Sequence, residues 1–187
     1  MYYHASQKEN INILKPHKSN HNKPLVYLSK KRENTLVYLS NAVEKYCKEI
    51  GFNYDGTCYK WASYGFTKEG ILRLEEYYPN AIYDTYKGVS GYIYSTEFIE
   101  KFDSLIDIPD VIISEDNIPV SNCEYIPDAY EAIMDAVKCG KIKIVKYEEN
   151  SKEMLGWIEK TIKIEYQNAT EHPEYREFLK GKFNFLN

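Results

Sequence analysis

Apolar residues recur along this chain with two different periods, and each period predicts a different element. Leu36, Leu39, Val43, Tyr46, Cys47 and Ile50 return at steps of three and four, the spacing of one helix face, and Gly51 stands where a C-cap belongs. The spacing predicts a helix over Glu33 to Glu49. Lys141 to Tyr147 instead alternates charged and apolar residues, the period-two pattern of a strand with one wet face. Short apolar runs at Met1 to His4, Leu25 to Ser29, Ile71 to Tyr78, Gly91 to Tyr94 and Asp110 to Ser114 read as further strands, with turn formers between them. Asp55-Gly56 between Phe52-Asn53-Tyr54 and Thr57-Cys58-Tyr59 predicts a β-hairpin, because both turn positions need positive φ. Pro127-Asp128 opens a helix carrying Ala129, Ile133, Ala136 and Val137, closed by Gly140. A second late helix spans Ser151 to Asn168, and a shorter helical piece follows Pro173. The pentapeptide Leu-Val-Tyr-Leu-Ser occurs at 25–29 and again at 36–40, first as a strand and then inside the helical pattern.

This order predicts an α+β fold with a small mixed or antiparallel β core and flanking helices. With 187 residues, one domain is expected: residues 1–150 carry the β core and two helices, and 151–187 form a C-terminal helical segment packed on it. Composition agrees with a folded chain, with 43% hydrophobic and 28% charged residues. No run approaches the roughly 18 to 20 apolar residues of a membrane span, and the start lacks a signal-peptide pattern, so no membrane partner and a cytoplasmic location are expected. Four scattered cysteines, Cys47, Cys58, Cys123 and Cys139, make no CxxC pair and read as free thiols. A net charge of −4 indicates no dominant nucleic-acid-binding face, although a local basic patch remains compatible with it.

Chemistry concentrates near the N-terminus. Tyr3-His4-Ala5-Ser6 ends the first strand, Leu25-Val26-Tyr27-Leu28-Ser29 forms the second, and a helix follows directly. These residues resemble the N-terminal elements of the ADP-ribosyltransferase superfamily, especially its compact bacterial members related to rifamycin ADP-ribosyltransferases and RNA 2′-phosphotransferases. The resemblance covers about the first 50 residues, with Ala5 where glycine is more usual. It implies NAD as cofactor, with His4 bonding a ribose and Tyr27 stacking on the nicotinamide ring. A carboxylate completes such sites, and this chain lacks the family's Glu-x-Glu or Gln-x-Glu signature. Glu115, after the strand ending at Ser114, and Glu97, after Thr96, are the candidates. Ser29 as a helix cap, with Lys30, Lys31 and Arg32 beside it, offers a place for a pyrophosphate; a solvated basic turn balanced by Glu33 and Glu44 is the alternative. The acceptor substrate is not legible.

Other patterns narrow the field. His17 and His21 have i, i+4 spacing, but Pro16 and the Ser-Asn content oppose the helix a zinc pair needs, so no metal is expected. The chain has no P-loop, Gly-x-Gly-x-x-Gly run or Gly-x-Ser-x-Gly elbow. Of its 19 tyrosines, 14 precede residue 95. Tyr54, Tyr59, Trp61, Tyr64 and Phe66 form an aromatic cluster able to stack bases or build a protein interface, although strand alternation favours reading it as core and surface packing. The competing reading is therefore a non-catalytic binding protein of the same fold, holding a protein or nucleic-acid partner on its aromatic strands.

Overall fold

In the computed structural model, which describes residues 1–18, 23–56, 64–104 and 108–187, most of the short apolar runs become strands. These are Tyr2–Ser6 (β1), Ile13–Leu14 (β2), His17–Lys18 (β3), Pro24–Ser29 (β4), Tyr64–Phe66 (β5), Leu72–Glu75 (β6), Gly91–Thr96 (β7), Asp103–Ser104 (β8), Val111–Ser114 (β9), Ile118–Pro119 (β10), Asn122–Ile126 (β11) and Ile142–Val145 (β12). The α-helices are Ala42–Ile50 (α1), Ala81–Tyr86 (α2), Ala129–Lys138 (α3), Lys152–Asn168 (α4) and Pro173–Lys182 (α5), and a 3-10 helix occupies Glu33–Tyr38. The fold is α+β. Its largest sheet runs β11-β7-β1-β4-β9-β8 with β3 beside β4, and β10-β2 and β12-β6-β5 form smaller sheets. The chain divides into two compact units: residues 1–39, 66–72 and 88–142 make the first, and 40–65, 73–87 and 143–187 the second.

The large sheet organises the first unit. β1 pairs antiparallel with β7 at every position from Tyr2↔Thr96 to Ser6↔Tyr92, and β4 pairs with β9 from Val26↔Ser114 to Ser29↔Val111. β1 and β4 share one paired position, Tyr3↔Ser29. Because side chains alternate across a sheet, this register sorts them into two faces. Val26, Leu28, Tyr94 and Ile112 face one way, where they form a buried cluster with Leu14, Ile99 and Ile118. Ala5, Ile93 and Ser29 face the other way and are also buried. Leu39, just past the 3-10 helix, covers that second face so closely that a Cβ on Gly91 would stand 2.6 Å from its Cδ2.

The second unit has its own core, built from Val43 and Cys47 of α1, Tyr77 and Tyr78 before α2, Ile158 and Ile162 of α4, and Phe178 and Leu179 of α5. Edge-to-face rings lock it, with Tyr46 on Phe178 and Tyr78 on Phe183. The buried Glu76 carboxylate accepts from the Ile82 and Tyr147 main-chain N–H groups, tying α2 to the segment after β12. No helix among the described residues is long and apolar enough to cross a membrane.

The expected helix over Glu33 to Glu49 is two elements. The 3-10 helix ends at Tyr38, Asn41 takes φ −146°, and α1 then runs to Gly51, whose φ of 68° gives the expected left-handed C-cap. Asn41 donates its side-chain amide to Glu44 and its main-chain N–H to Thr85, so local polar bonds replace the helical ladder there. A second difference is α2, where strand-forming residues fold as a helix that buries Ala81, Ile82, Thr85 and Tyr86. Phe52, Asn53 and Tyr54 form no strand, Gly56 takes a φ of 78°, and Thr57, Cys58 and Tyr59 lie outside the described residues. Cys47, Cys123 and Cys139 are free thiols; Cys58, like His21, lies outside the described residues. Replacing Gly91 by Ala drives a methyl into the fully buried Leu39 and should lower stability by about 1–3 kcal/mol, read as an earlier midpoint in urea unfolding.

Candidate functional site

β1 and β4 carry His4 and Tyr27 to the one interior seam of the sheet that is paired at a single position. The half-buried His4 ring enters this seam, with Nδ1 2.9 Å from the main-chain oxygen of Tyr27. A carbonyl only accepts, so Nδ1 carries the proton and Nε2 is left as an acceptor. Burial pushes the His4 pKa below its ordinary value of 6.5; the bond to Tyr27 opposes the shift and repulsion from His17 adds to it. The imidazole is therefore neutral near pH 7. His4 pairs across β7 with Tyr94 and lies on that residue's face, whereas Tyr27 alternates with Leu28 and faces with Ser29 and Ile113. The two side chains thus leave opposite faces, and the Tyr27 main chain is what connects them.

The proposed anion-binding residues are already engaged. Ser29 Oγ accepts from the Lys31 N–H at 3.0 Å, a local turn and not a helix cap, since no side chain caps the short 3-10 helix. Lys31 pairs with Asp110 at 2.8 Å and donates to the Gly70 carbonyl. Arg32 binds Glu124 through two parallel bonds, Nε to Oε2 at 2.7 Å and Nη2 to Oε1. The basic turn is neutralised by carboxylates of its own chain.

Neither candidate carboxylate lies beside His4 in the register. Glu115 is exposed, pairs with Lys23 at 3.0 Å, and lines a cleft of about 670 Å³ with Leu25, Phe102, Asp103 and Ile113. Among the described residues, His4 and Tyr27 do not line it. Glu97 is exposed just beyond Thr96, the residue opposite Tyr2. Two carboxylates share Tyr27's face: Asp103, which pairs with Tyr27's own partner Ile113 and lies two strands away, and Glu124, three strands away on the other side; no sequence pattern marks either. Glu124 pairs with Ile93 and Ile93 with Ala5, so all three stand in one row, and the single β1–β4 pairing extrapolates that row to Tyr27. At about 4.8 Å per strand the row spans about 14 Å from Glu124 to Tyr27. Its middle is covered, since Ala5 and Ile93 are buried, while Glu124 and Tyr27 remain partly accessible at its ends. Arg32 fixes the Glu124 carboxylate in orientation, as a bidentate guanidinium does.

On the opposite face Tyr92 contacts Tyr94 and the exposed Tyr125, with ring centroids 6.2 and 5.3 Å apart, and Tyr92 donates its hydroxyl to Glu9. Of the aromatic cluster expected around Tyr54 to Phe66, Tyr59 and Trp61 lie outside the described residues. No family model, curated protein or solved structure matches this chain.

The lowered His4 pKa sets a pH dependence. Its neutral state is favoured by folding, so the associated stability is fully present above about pH 6.5 and is lost as pH falls through the lower folded pKa. His4→Gln keeps a donor for the Tyr27 carbonyl without titrating. Urea midpoints measured between about pH 7.5 and 5 should fall more steeply for the wild type than for this variant.

Proposed function

We propose that the first unit binds NAD or a related nucleotide at the seam between β1 and β4 and acts as an ADP-ribosyltransferase-like protein. The observation that carries this reading is the bond from His4 Nδ1 to the Tyr27 carbonyl, which leaves a neutral ring nitrogen as acceptor. In this reading Nε2 accepts from a ribose hydroxyl on its own face, and Tyr27, whose ring leaves the opposite face, contributes the main-chain carbonyl that orients the imidazole in place of a stacking ring. The carbon–nitrogen bond to nicotinamide breaks with its electron pair going to the leaving ring. The same ribose carbon then bonds a nucleophile, which gives up its proton. Lys31 and Arg32, held by Asp110 and Glu124, are less suited to a pyrophosphate than the sequence implies.

A second reading has its own support. The Tyr92–Tyr125 contact leaves an aromatic surface on edge strand β11, compatible with a non-catalytic protein that holds a protein or nucleic-acid partner there.

Nicotinamide release from NAD separates these readings and tests the three carboxylates. His4→Gln should lower the rate about tenfold or more, whereas Glu124→Gln, Glu115→Gln and Glu97→Gln should each leave it within about twofold. His4→Gln should also weaken NAD binding in a calorimetric titration. Failure of the wild type to bind millimolar NAD would leave the aromatic partner surface as the better account.

A further inference from the structure

The large sheet ends on two strands of unlike construction. β8 is two residues long and carries Asp103, a short charged edge of the kind that discourages further pairing. β11 has five residues, pairs with β7 at every position from Asn122↔Ser95 to Ile126↔Gly91, and contains no lysine, proline or bulge. Its one charge, Glu124, is bound by Arg32 through two bonds. Among the described residues no strand pairs with its outer side, and the chain leaves it towards β7, where the Ala129 N–H donates to the Val89 carbonyl at 2.8 Å. A regular edge without such guards is a template for another strand.

The sequence around β11 matches itself. Pro119 and Pro127 flank it, and a proline offers no N–H to a ladder, so the stretch open to pairing lies between them. Cys123 stands at its midpoint. A second copy laid antiparallel about a two-fold axis sets residues of the same face opposite one another, so the axis runs between a residue and its own copy. Centring on Glu124 puts two carboxylates directly opposite, which is unfavourable. Centring on Tyr125 or Ile126 brings Pro127 into the ladder opposite Cys123 or Tyr125, and centring on Asn122 sets Tyr125 against Pro119. Centring on Cys123 avoids all of these: Asn122 meets Glu124, Ser121 meets Tyr125, and the two prolines close the ladder at both ends. The Asn122 amide is then a donor facing a carboxylate, and Tyr125, 56% exposed and in contact with Tyr92, supplies apolar surface beside the ladder.

We propose that β11 is the edge along which a second copy of this chain pairs, antiparallel and centred on Cys123, joining two large sheets into one. The pairing rests on the exposed β11 surface of the second reading and is independent of the nucleotide reading. A ladder of this length buries little surface, so the two copies exchange with free monomer.

Sedimentation equilibrium of the reduced full chain, from about 1 μM to about 1 mM, should show a reversible equilibrium between monomer and dimer. Asn122→Glu sets like charges opposite each other at both ends of the two-fold and should weaken association about tenfold or more. Asn122→Lys offers a cation to the same carboxylate and should associate at least as tightly as the wild type. Position 122 is exposed, so neither change should move the urea midpoint of the dilute monomer. An antiparallel pair holds the two Cys123 α-carbons about 4.5–5.5 Å apart, inside the range that a disulfide spans. Diamide, which takes up the two electrons and two protons that the thiols release, should therefore yield a covalent dimer that persists in Cys139→Ser and is lost in Cys123→Ser. The proposal is overturned if the chain sediments as a monomer throughout, if Asn122→Glu and Asn122→Lys act alike, or if oxidation gives no dimer that depends on Cys123. A monomer throughout would still leave the β11 surface to an unlike partner, and nicotinamide release from NAD reads the nucleotide site separately.

Discussion

β1 is paired along its whole length with β7 but at one position with β4, and this asymmetry governs the first unit. A fully paired seam would give every main-chain carbonyl a main-chain donor, leaving no room for a side chain between strands. At the β1–β4 seam an imidazole serves as donor to Tyr27 instead. That substitution fixes the ring's tautomer and aims its second nitrogen. The remaining strands secure the arrangement, because β7 and β9 hold β1 and β4 in register from the outside and buried side chains pack both faces.

The strands were the most legible part of the sequence. Runs such as Leu25 to Ser29 and Val111 to Ser114 are short, apolar and bounded by turn formers, and they fold as read. The break at Ser40 and Asn41 was hidden because the apolar period continues across it. Leu36 and Leu39 bury in the first unit, Val43 and Cys47 in the second, and both pieces turn their apolar residues inward. α2 was hidden by composition: Ile82, Tyr83, Thr85 and Tyr86 favour strands, and only their burial spacing betrays a helix.

The site divides along the same line. His4 and Tyr27 stand in recognisable strand contexts, so a local reading singles them out, but it does not show that their side chains leave opposite faces. Glu124 has no such context, since four of the five residues of β11 are exposed and nothing within the strand marks one acid. Its place in Tyr27's row comes from pairing with Ile93, and through Ile93 with Ala5, across some 30 and 120 residues of sequence, and its orientation from the Arg32 guanidinium just past β4. Register between distant strands is a tertiary property, and one sequence does not display it.

The division of the chain into interleaved units bears on its synthesis and handling. The backbone crosses from one unit to the other at 39/40, 65/66, 72/73, 87/88 and 142/143. A nascent chain emerging N-terminus first cannot complete the large sheet until β11 has left the ribosome, nor the helical core until α5 has. The first unit's sheet is therefore complete before the second unit's core, which waits for the end of the chain. No contiguous fragment contains either one alone, and a single proteolytic nick at 65/66, 72/73 or 87/88 leaves two pieces that are each still threaded through both cores.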